Sequence, residues 1–171
     1  MGQAVIIKPY DSRFKIYFKK EKRFLNRKLG KNFEIHHVGS TAVTGLGGKN
    51  FLDIQLLVKN KSIANKLIKK LESLGYFHNK NAGDKYRIFF NRNCFFNKEE
   101  IHIHLHLMWK TAKKYKEHLL FRDFLRQHPE EAKKYYSMKK IWAKKAGNKR
   151  ENYTEMKTDY IKYVLRKARK K

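Results

Sequence analysis

Residues 51–58, FLDIQLLV, constrain the fold most strongly, because they place a carboxylate in the middle of a β-strand pattern. Successive strand residues point to opposite faces of a sheet. One face here is wholly apolar and consists of Leu52, Ile54, Leu56 and Val58. The other consists of Phe51, Asp53, Gln55 and Leu57. A buried carboxylate is costly unless it is paired, hydrogen-bonded or bound to a cation. The segment therefore predicts a core strand and a candidate site at Asp53; the alternative is a solvent-facing position.

Helical and strand patterns alternate around this segment. Apolar residues at helical spacing predict one helix that ends at Gly30 and a second that ends at Gly75. Further strands are predicted at residues 4–7, 33–38, 85–90 and 101–108. We expect the last two to form a hairpin joined through a polar connection at residues 91–100.

Beyond Trp109 the sequence shows helical patterns alone. Pro129 followed by two glutamates is typical of a helix start, and Gly147 of a helix end. The last helix is expected to fray into the basic terminal residues. We therefore predict an α+β fold: a mixed β-sheet with helices over residues 1–109, followed by a helical C-terminal half over residues 110–171. With 171 residues, 41% of them hydrophobic, the chain fits one domain, residues 1–171.

The charge of the chain is strongly basic, with 42 Lys and Arg against 15 Asp and Glu. A formal net charge of +27 attracts polyanions, so nucleic acid is one expected partner. The basic residues are spread along every segment, and Lys, Asn, Ile, Phe and Tyr all have AT-rich codons. Codon usage is therefore the competing explanation, and the one that we favour.

Targeting signals are not evident in the sequence. The N-terminal residues lack the pattern of a signal peptide, and no apolar segment approaches the roughly 20 residues that span a bilayer. The single cysteine, Cys94, cannot form an internal disulfide. We expect a cytoplasmic protein with no membrane partner.

A Gly-Ser-Thr turn precedes the Asp53 strand by a dozen residues. Gly39 allows close backbone approach, while Ser40 and Thr41 offer hydroxyl and N–H groups, so the turn can hold a phosphate. Gly-Ser-Thr is also an ordinary turn sequence, and the neighbouring carboxylate strand is what favours the functional interpretation.

Three histidines share one face of the strand at residues 101–108. His102, His104 and His106 recur at every second position, about 7 Å apart, so two of them could share a metal ion with Asp53 from another strand. Histidines on a solvated sheet face are the alternative.

Four segments together point to a family. The segment IHHVGSTAVTGLGGKNFLDIQLLV resembles the phosphate-turn region of the GrpB family, and HLHL resembles its histidine strand. HLLFRDFLRQHPEEAKKYYSMKK and NYTEMKTDYI resemble its C-terminal half. The order is kept over almost the whole chain.

The resemblance implies a nucleotidyltransferase-like fold in which Gly39 and Ser40 hold nucleotide phosphates and Asp53 holds divalent metal. The second aspartate of that pattern is Gln55 here, which can bind the nucleotide or the metal through its amide oxygen but brings no charge. Lys49 and Lys157 stand at family lysine positions, whereas Thr44 and Asn50 replace family prolines. One carboxylate with His104 and His106 suits a single Mg²⁺ or Mn²⁺, in preference to Zn²⁺, better than a two-metal site.

Two arginines add candidate phosphate contacts, because a guanidinium binds phosphate through two parallel hydrogen bonds. Arg87 lies on a predicted strand, and Arg122 lies in an otherwise apolar stretch. We expect a protein that binds a nucleotide or another phosphorylated small molecule, with metal-dependent nucleotidyl transfer as its candidate reaction. Two alternatives stay open: a non-catalytic nucleic-acid-binding protein, and a metal-dependent hydrolase built on His102, His104 and His106.

Overall fold

The computed structural model describes residues 4–112, 114–147 and 149–170. In chain order the helices and strands are α1 (Phe14–Leu29), β1 (Glu34–Val38), β2 (Leu52–Val58), α2 (Lys61–Ser73), β3 (Phe77–His78), β4 (Arg87–Phe96), β5 (Glu99–Trp109), α3 (Tyr115–Gln127), α4 (Pro129–Ala146) and α5 (Arg150–Arg169). Short 3₁₀ turns lie at Ser40–Ala42, Lys80–Ala82 and Lys110–Ala112.

The strands form one five-stranded mixed sheet in the order β1-β2-β5-β4-β3. β2 and β5 run parallel, whereas the other neighbouring pairs run antiparallel. In the parallel pair Asp53 lies opposite His104, and Gln55 lies opposite His106. The predicted α+β architecture with a helical C-terminal half is confirmed.

The periodicities of β2 and of the first two helices are confirmed. The four apolar residues of β2 are buried in one cluster with residues of α1, α2 and β5. Asn60 caps α2 by accepting a hydrogen bond from the Ile63 amide over 3.0 Å. Gly30 ends α1 with φ +96°, a value that glycine adopts without strain. The apolar face of β2 thus fixes which face of the sheet is left for Asp53.

Two strand predictions need correction. Residues 4–7 form no strand; the nearest pairing is an isolated bridge between Lys8 and Gly48. The hairpin connection is also much shorter than predicted, because β4 and β5 continue to a two-residue turn at Asn97 and Lys98, both with positive φ. Every second residue of β4 there packs against the core or α1: Arg92 pairs with Glu21, Cys94 lies against the core, and Phe96 stacks on Tyr17 with ring centroids 4.9 Å apart.

Two buried apolar clusters define the layers of the molecule. The first joins one face of the sheet to α1 and α2. The second joins α3, α4 and α5 to Val43 and Leu46 from the segment that follows β1. The polar face of β2 and β5 lies toward this helical half. α5 continues to Arg169 and does not fray at the basic residues. Within the described residues, no helix combines the length and apolarity required to cross a bilayer.

Candidate functional site

A cleft of about 470 Å³ separates the polar face of the sheet from the C-terminal helices. Two adjoining groups of residues line it. We call the first the sheet wall; it consists of Asp53, Arg87, His104 and His106. We call the second the turn wall; it consists of Gly39, Ser40, Gly48 and Lys139. Each wall is built by local features of the chain.

On the sheet wall, the parallel register of β2 and β5 brings Asp53 beside two imidazoles. Its Oδ1 lies 3.2 Å from His104 Nδ1 and 3.7 Å from His106 Nε2. Burial acts to raise the pKa of the Asp53 carboxyl, but the hydrogen bonds and charges of His104 and His106 outweigh it and hold that pKa well below its usual range. Asp53 is therefore ionised throughout the physiological pH range.

Arg87 fixes the tautomer of His106. Its Nη1 donates to His106 Nδ1 over 3.1 Å, so Nδ1 accepts and the ring proton lies on Nε2, toward Asp53. Burial lowers the pKa of His106, and the charges of Arg87 and His104 lower it further against the opposing effect of Asp53. The neutral ring thus directs its Nε2 proton toward Asp53, 3.7 Å away, while Arg87 Nη2 is anchored on the Ala82 carbonyl over 3.1 Å.

On the turn wall, the residue that follows β1 lies against Asp53. Val38 is the register partner of Asp53, so the next residue, Gly39, lies against the carboxylate. A Cβ on Gly39 would lie 2.2 Å from Asp53 Oδ2, and its φ is +73°. Two independent requirements, space and backbone conformation, therefore demand glycine at this position.

A hydrogen-bonded chain holds the Gly-Ser-Thr turn in place. The Thr41 hydroxyl donates to the Phe51 carbonyl over 3.0 Å and lies 3.0 Å from His37 Nε2. Because the hydroxyl proton is directed to Phe51, His37 Nε2 is the donor in the second contact. Burial lowers the pKa of His37 to about 4, which keeps its ring neutral. Thr41 therefore holds the turn against Phe51 and His37, and it does not line the cleft.

Ser40 and Lys139 converge above Gly48. A Cβ on Gly48 would lie 2.2 Å from Ser40 Oγ and 3.5 Å from Lys139 Nζ, so the missing side chain leaves the space in which the two polar groups meet. The Lys139 side chain is buried, with 3% exposure; it donates to the Gly47 carbonyl and lies 4.8 Å from the centroid of the Tyr135 ring.

The environment of Lys139 disfavours its charge. Burial lowers the pKa of Lys139 to about 7, and the charges of Lys157 and Lys49 act in the same direction, with Asp53 opposing them. Sequence reasoning missed this residue among the many lysines. One signal was available: Lys139 stands four residues after Tyr135 and three before Trp142, on the buried face of α4.

His118 of α3 is the second residue that sequence reasoning missed. Its ring lies edge-on to His106 with centroids 5.4 Å apart, and it lines the cleft. Burial lowers the pKa of His118 to about 4, assisted by the charges of His106 and Arg87. Its helical neighbours give no periodic signal for a site, because the contact depends on how α3 packs on the sheet.

Most of the predicted site residues line the cleft. They are Gly39, Ser40, Lys49, Asp53, Arg87, His104, His106 and Lys157. Gln55 lies elsewhere: it is fully buried, and its Nε2 donates to the Tyr115 carbonyl over 3.0 Å, which ties β2 to the start of α3. Arg122 also lies outside the cleft lining, since it donates to the His37 carbonyl and to the neighbouring Asp123.

His102 does not join the other two histidines. It is exposed, and its Nδ1 lies 2.8 Å from Asn93 Oδ1. Among the described residues, no group of three or more His, Cys, Asp or Glu side chains is arranged to hold a metal ion. The side chains of Asp53, His104 and His106 lie close to one another, but they do not form such a group. A three-ligand metal site made of them therefore stays a prediction.

The sequence and the fold both match known proteins. The GrpB protein family matches residues 4–167. A protein of Pseudomonas aeruginosa is 36% identical over 136 residues, and the glutamate-rich protein GrpB of Alkalihalophilus pseudofirmus is 30% identical over 164 residues. The alignments cover 78% and 94% of this chain, but 54% and 94% of those relatives respectively.

Solved structures show the same architecture. The crystal structure of the conserved protein GrpB from Enterococcus faecalis superposes with a TM-score of 0.80 at 25% identity, and the match covers 95% of this chain and 96% of that one. The Cid1 poly(U) polymerase bound to MgGTP superposes with a TM-score of 0.53 at 19% identity over 81% of this chain and 44% of the polymerase. The second match shows a nucleotidyltransferase-like fold. The chain belongs to the GrpB family.

Proposed function

We propose that the cleft binds a nucleotide or another phosphorylated small molecule, with a phosphate group held beside Gly48 by Ser40 and by the lysines of the lining, Lys49, Lys139 and Lys157. The observation that carries this proposal is the meeting of a hydroxyl and an amine beside Gly48: a Cβ there would lie 2.2 Å from Ser40 Oγ and 3.5 Å from Lys139 Nζ, and all three residues line the cleft. A phosphate oxygen accepts hydrogen bonds from both kinds of donor.

The distribution of charge supports an anionic ligand. Lys49 and Lys157 line the same cleft and act electrostatically on Lys139. The acidic residues of the lining other than Asp53 are already paired: Asp84 lies 3.2 Å from Arg87 Nε, and Glu117 lies 2.8 Å from Arg169 Nη2. An anion bound on the turn wall would favour the charged form of Lys139, which burial, Lys49 and Lys157 disfavour.

One divalent ion fits this donor set, but a pair of ions does not. Asp53 is a single carboxylate, and Gln55 at the position of a second one faces the Tyr115 carbonyl and not the cleft. Mg²⁺ in proteins commonly binds one or two carboxylates and takes its other ligands from phosphate and water. A bound Mg²⁺ or Mn²⁺ would be held by Asp53 together with the ligand's phosphates, and it would neutralise part of the phosphate charge.

Nucleotidyl transfer is the reaction that we propose for such a ligand, with His104 as the general base. Because Asp53 can only accept, the contact with His104 Nδ1 places the ring proton of neutral His104 on Nδ1. The unprotonated Nε2 is then able to take a proton from an attacking hydroxyl group. Packing against Phe51 and Phe89, with centroids 4.4 and 5.1 Å away, holds the ring in this orientation.

The test is to displace the Ser40 hydroxyl by adding a Cβ at Gly48. ATP should raise the melting temperature of the wild-type protein, by the equivalent of about 2.7 kcal/mol at a hundredfold excess over Kd. Gly48→Ala should lower both stability and ATP affinity, because its Cβ meets Ser40 Oγ. Adding Ser40→Ala to Gly48→Ala should restore most of the stability but not the affinity. Ser137→Ala, on the exposed surface of α4, is the control. Wild-type affinity in Gly48→Ala would contradict the proposal.

Nucleic acid is a second candidate ligand, favoured by the net charge of +27 and by a concave surface that adjoins the cleft. This surface shares Lys114 and Glu117 with the cleft and adds Lys116 and Arg169. Binding of this kind would weaken steeply with salt, with a slope of about −0.7 per neutralised phosphate on a single strand. A flat salt dependence for an oligonucleotide would eliminate it.

A further inference from the structure

Lys139 has the surroundings of a reactive amine more than those of a structural cation. Among the described residues, no carboxylate lies within ion-pair distance of its Nζ; the amine contacts the Gly47 carbonyl and the face of the Tyr135 ring. A buried lysine without an acidic partner loses its charge readily, and neighbouring cations strengthen this effect. Lys49 and Lys157 provide such neighbours.

Position places Lys139 at the border of the cleft. Although the side chain as a whole is buried, Lys139 lines the cleft beside Ser40 and Gly48. We infer that Lys139 forms an imine with the carbonyl group of a phosphorylated aldehyde or ketone whose phosphate is held by Ser40, Lys49 and Lys157. This inference rests on the proposed phosphate site and extends it to a covalent step.

The step balances without a co-reactant. The lone pair of neutral Lys139 Nζ attacks the carbonyl carbon, and a carbon–nitrogen bond forms. The two protons of the amine and the carbonyl oxygen then leave as water, and the carbon–nitrogen double bond remains. A nucleotide without a carbonyl group of this kind would occupy the same phosphate position and block the reaction.

The protonation state of Lys139 supports this chemistry at neutral pH. With a pKa of about 7, roughly three quarters of Lys139 is neutral at pH 7.5. An ordinary surface lysine with a pKa near 10.4 is only about 0.1% neutral at that pH. The reactive fraction at Lys139 is therefore several hundredfold larger, which makes selective reaction in a lysine-rich chain measurable.

The experiment uses pyridoxal 5′-phosphate as the phosphorylated aldehyde, followed by borohydride reduction and peptide mapping of the intact wild-type protein at pH 7.5. Lys133, exposed on the same helix, is the internal reference. We expect labelling of Lys139 at least tenfold faster than of Lys133, slower labelling by pyridoxal without its phosphate, and protection by ATP. The fast phase of imine absorbance should vanish in Lys139→Met and persist in Lys133→Met.

The outcomes separate this inference from the proposed function. If ATP stabilises the protein but Lys139 is labelled no faster than Lys133, the imine inference is overturned and the phosphate site stands. Both proposals are overturned if ATP neither stabilises the protein nor slows the labelling of Lys139, and pyridoxal labels Lys139 as fast as pyridoxal 5′-phosphate does.

Discussion

The sheet wall and the turn wall of the cleft differ in how their charges are compensated. On the sheet wall, Asp53 is surrounded by two imidazoles, and Arg87 orients one of them. On the turn wall, Lys139 lies near other cations and contacts a neutral carbonyl. Asp53 already has partners for its charge, whereas burial and neighbouring cations disfavour the charge of Lys139, and an anion bound beside Lys139 would restore it. The comparison therefore locates the anion on the turn wall.

The largest effect is expected from placing a second carboxylate behind the sheet wall. Gln55→Asp would bury an unpaired charge facing the Tyr115 carbonyl, and should destabilise the protein by about 4 kcal/mol without strengthening Mg²⁺ binding. Chemical denaturation and Mg²⁺ titration measure the two quantities. Gln55→Met, with similar volume and no charge, should cost only about 1–2 kcal/mol. A stable Gln55→Asp variant with tighter Mg²⁺ binding would show that this residue belongs to the site.

The contact between the two walls can be broken at Gly39. Gly39→Ala introduces a Cβ that overlaps Asp53 Oδ2 and also strains a backbone with φ +73°. The free energy of unfolding should therefore fall by about 3 kcal/mol. Gly45→Ala is the matched control, because Gly45 has φ +79° but nothing within 4 Å of the added Cβ. It should lose about 1 kcal/mol from backbone strain alone. Equal decreases in the free energy of unfolding of the two variants would mean that the turn does not contact Asp53.

These positions also show how much of the fold and of the candidate site the sequence predicts. Alternation in β2 predicted both of its faces, because burial of one apolar face fixes the side of every residue in a strand. The extended hairpin was missed because most residues of 91–100 are polar, although the strands continue through them to the turn: Asn93 and Glu100 are exposed, whereas Arg92 pairs with the buried Glu21. Helical spacing from Tyr135 and Trp142 could have placed Lys139 on the buried face of α4, but the contacts of His118 and the role of Gln55 depend on how helices pack against the sheet, which local pattern does not predict.

A smaller effect is expected at Asp53, and its sign depends on metal. Asp53→Asn removes the only ionised group of the sheet wall that repels a phosphate, so metal-free ATP affinity should rise about fivefold. The gain in affinity that Mg²⁺ gives the wild-type protein should disappear. Calorimetric titration with and without Mg²⁺ measures both changes. Asp84→Asn, at the carboxylate paired with Arg87, should retain the Mg²⁺ effect. Loss of the Mg²⁺ effect in both variants would contradict a specific role for Asp53.

The most direct test of anion binding on the turn wall is the pH dependence of metal-free ATP affinity between pH 7.5 and 9.5. In this range ordinary histidines are already neutral and ordinary lysines are still charged. Lys139, with a pKa of about 7, is mostly neutral, so binding an anion beside it must take up a proton, and affinity falls as pH rises. We expect a fall of at least about tenfold in the wild-type protein and in Lys133→Met, and a weak, pH-independent affinity in Lys139→Met. Wild-type affinity with an unchanged pH dependence in Lys139→Met would contradict the account.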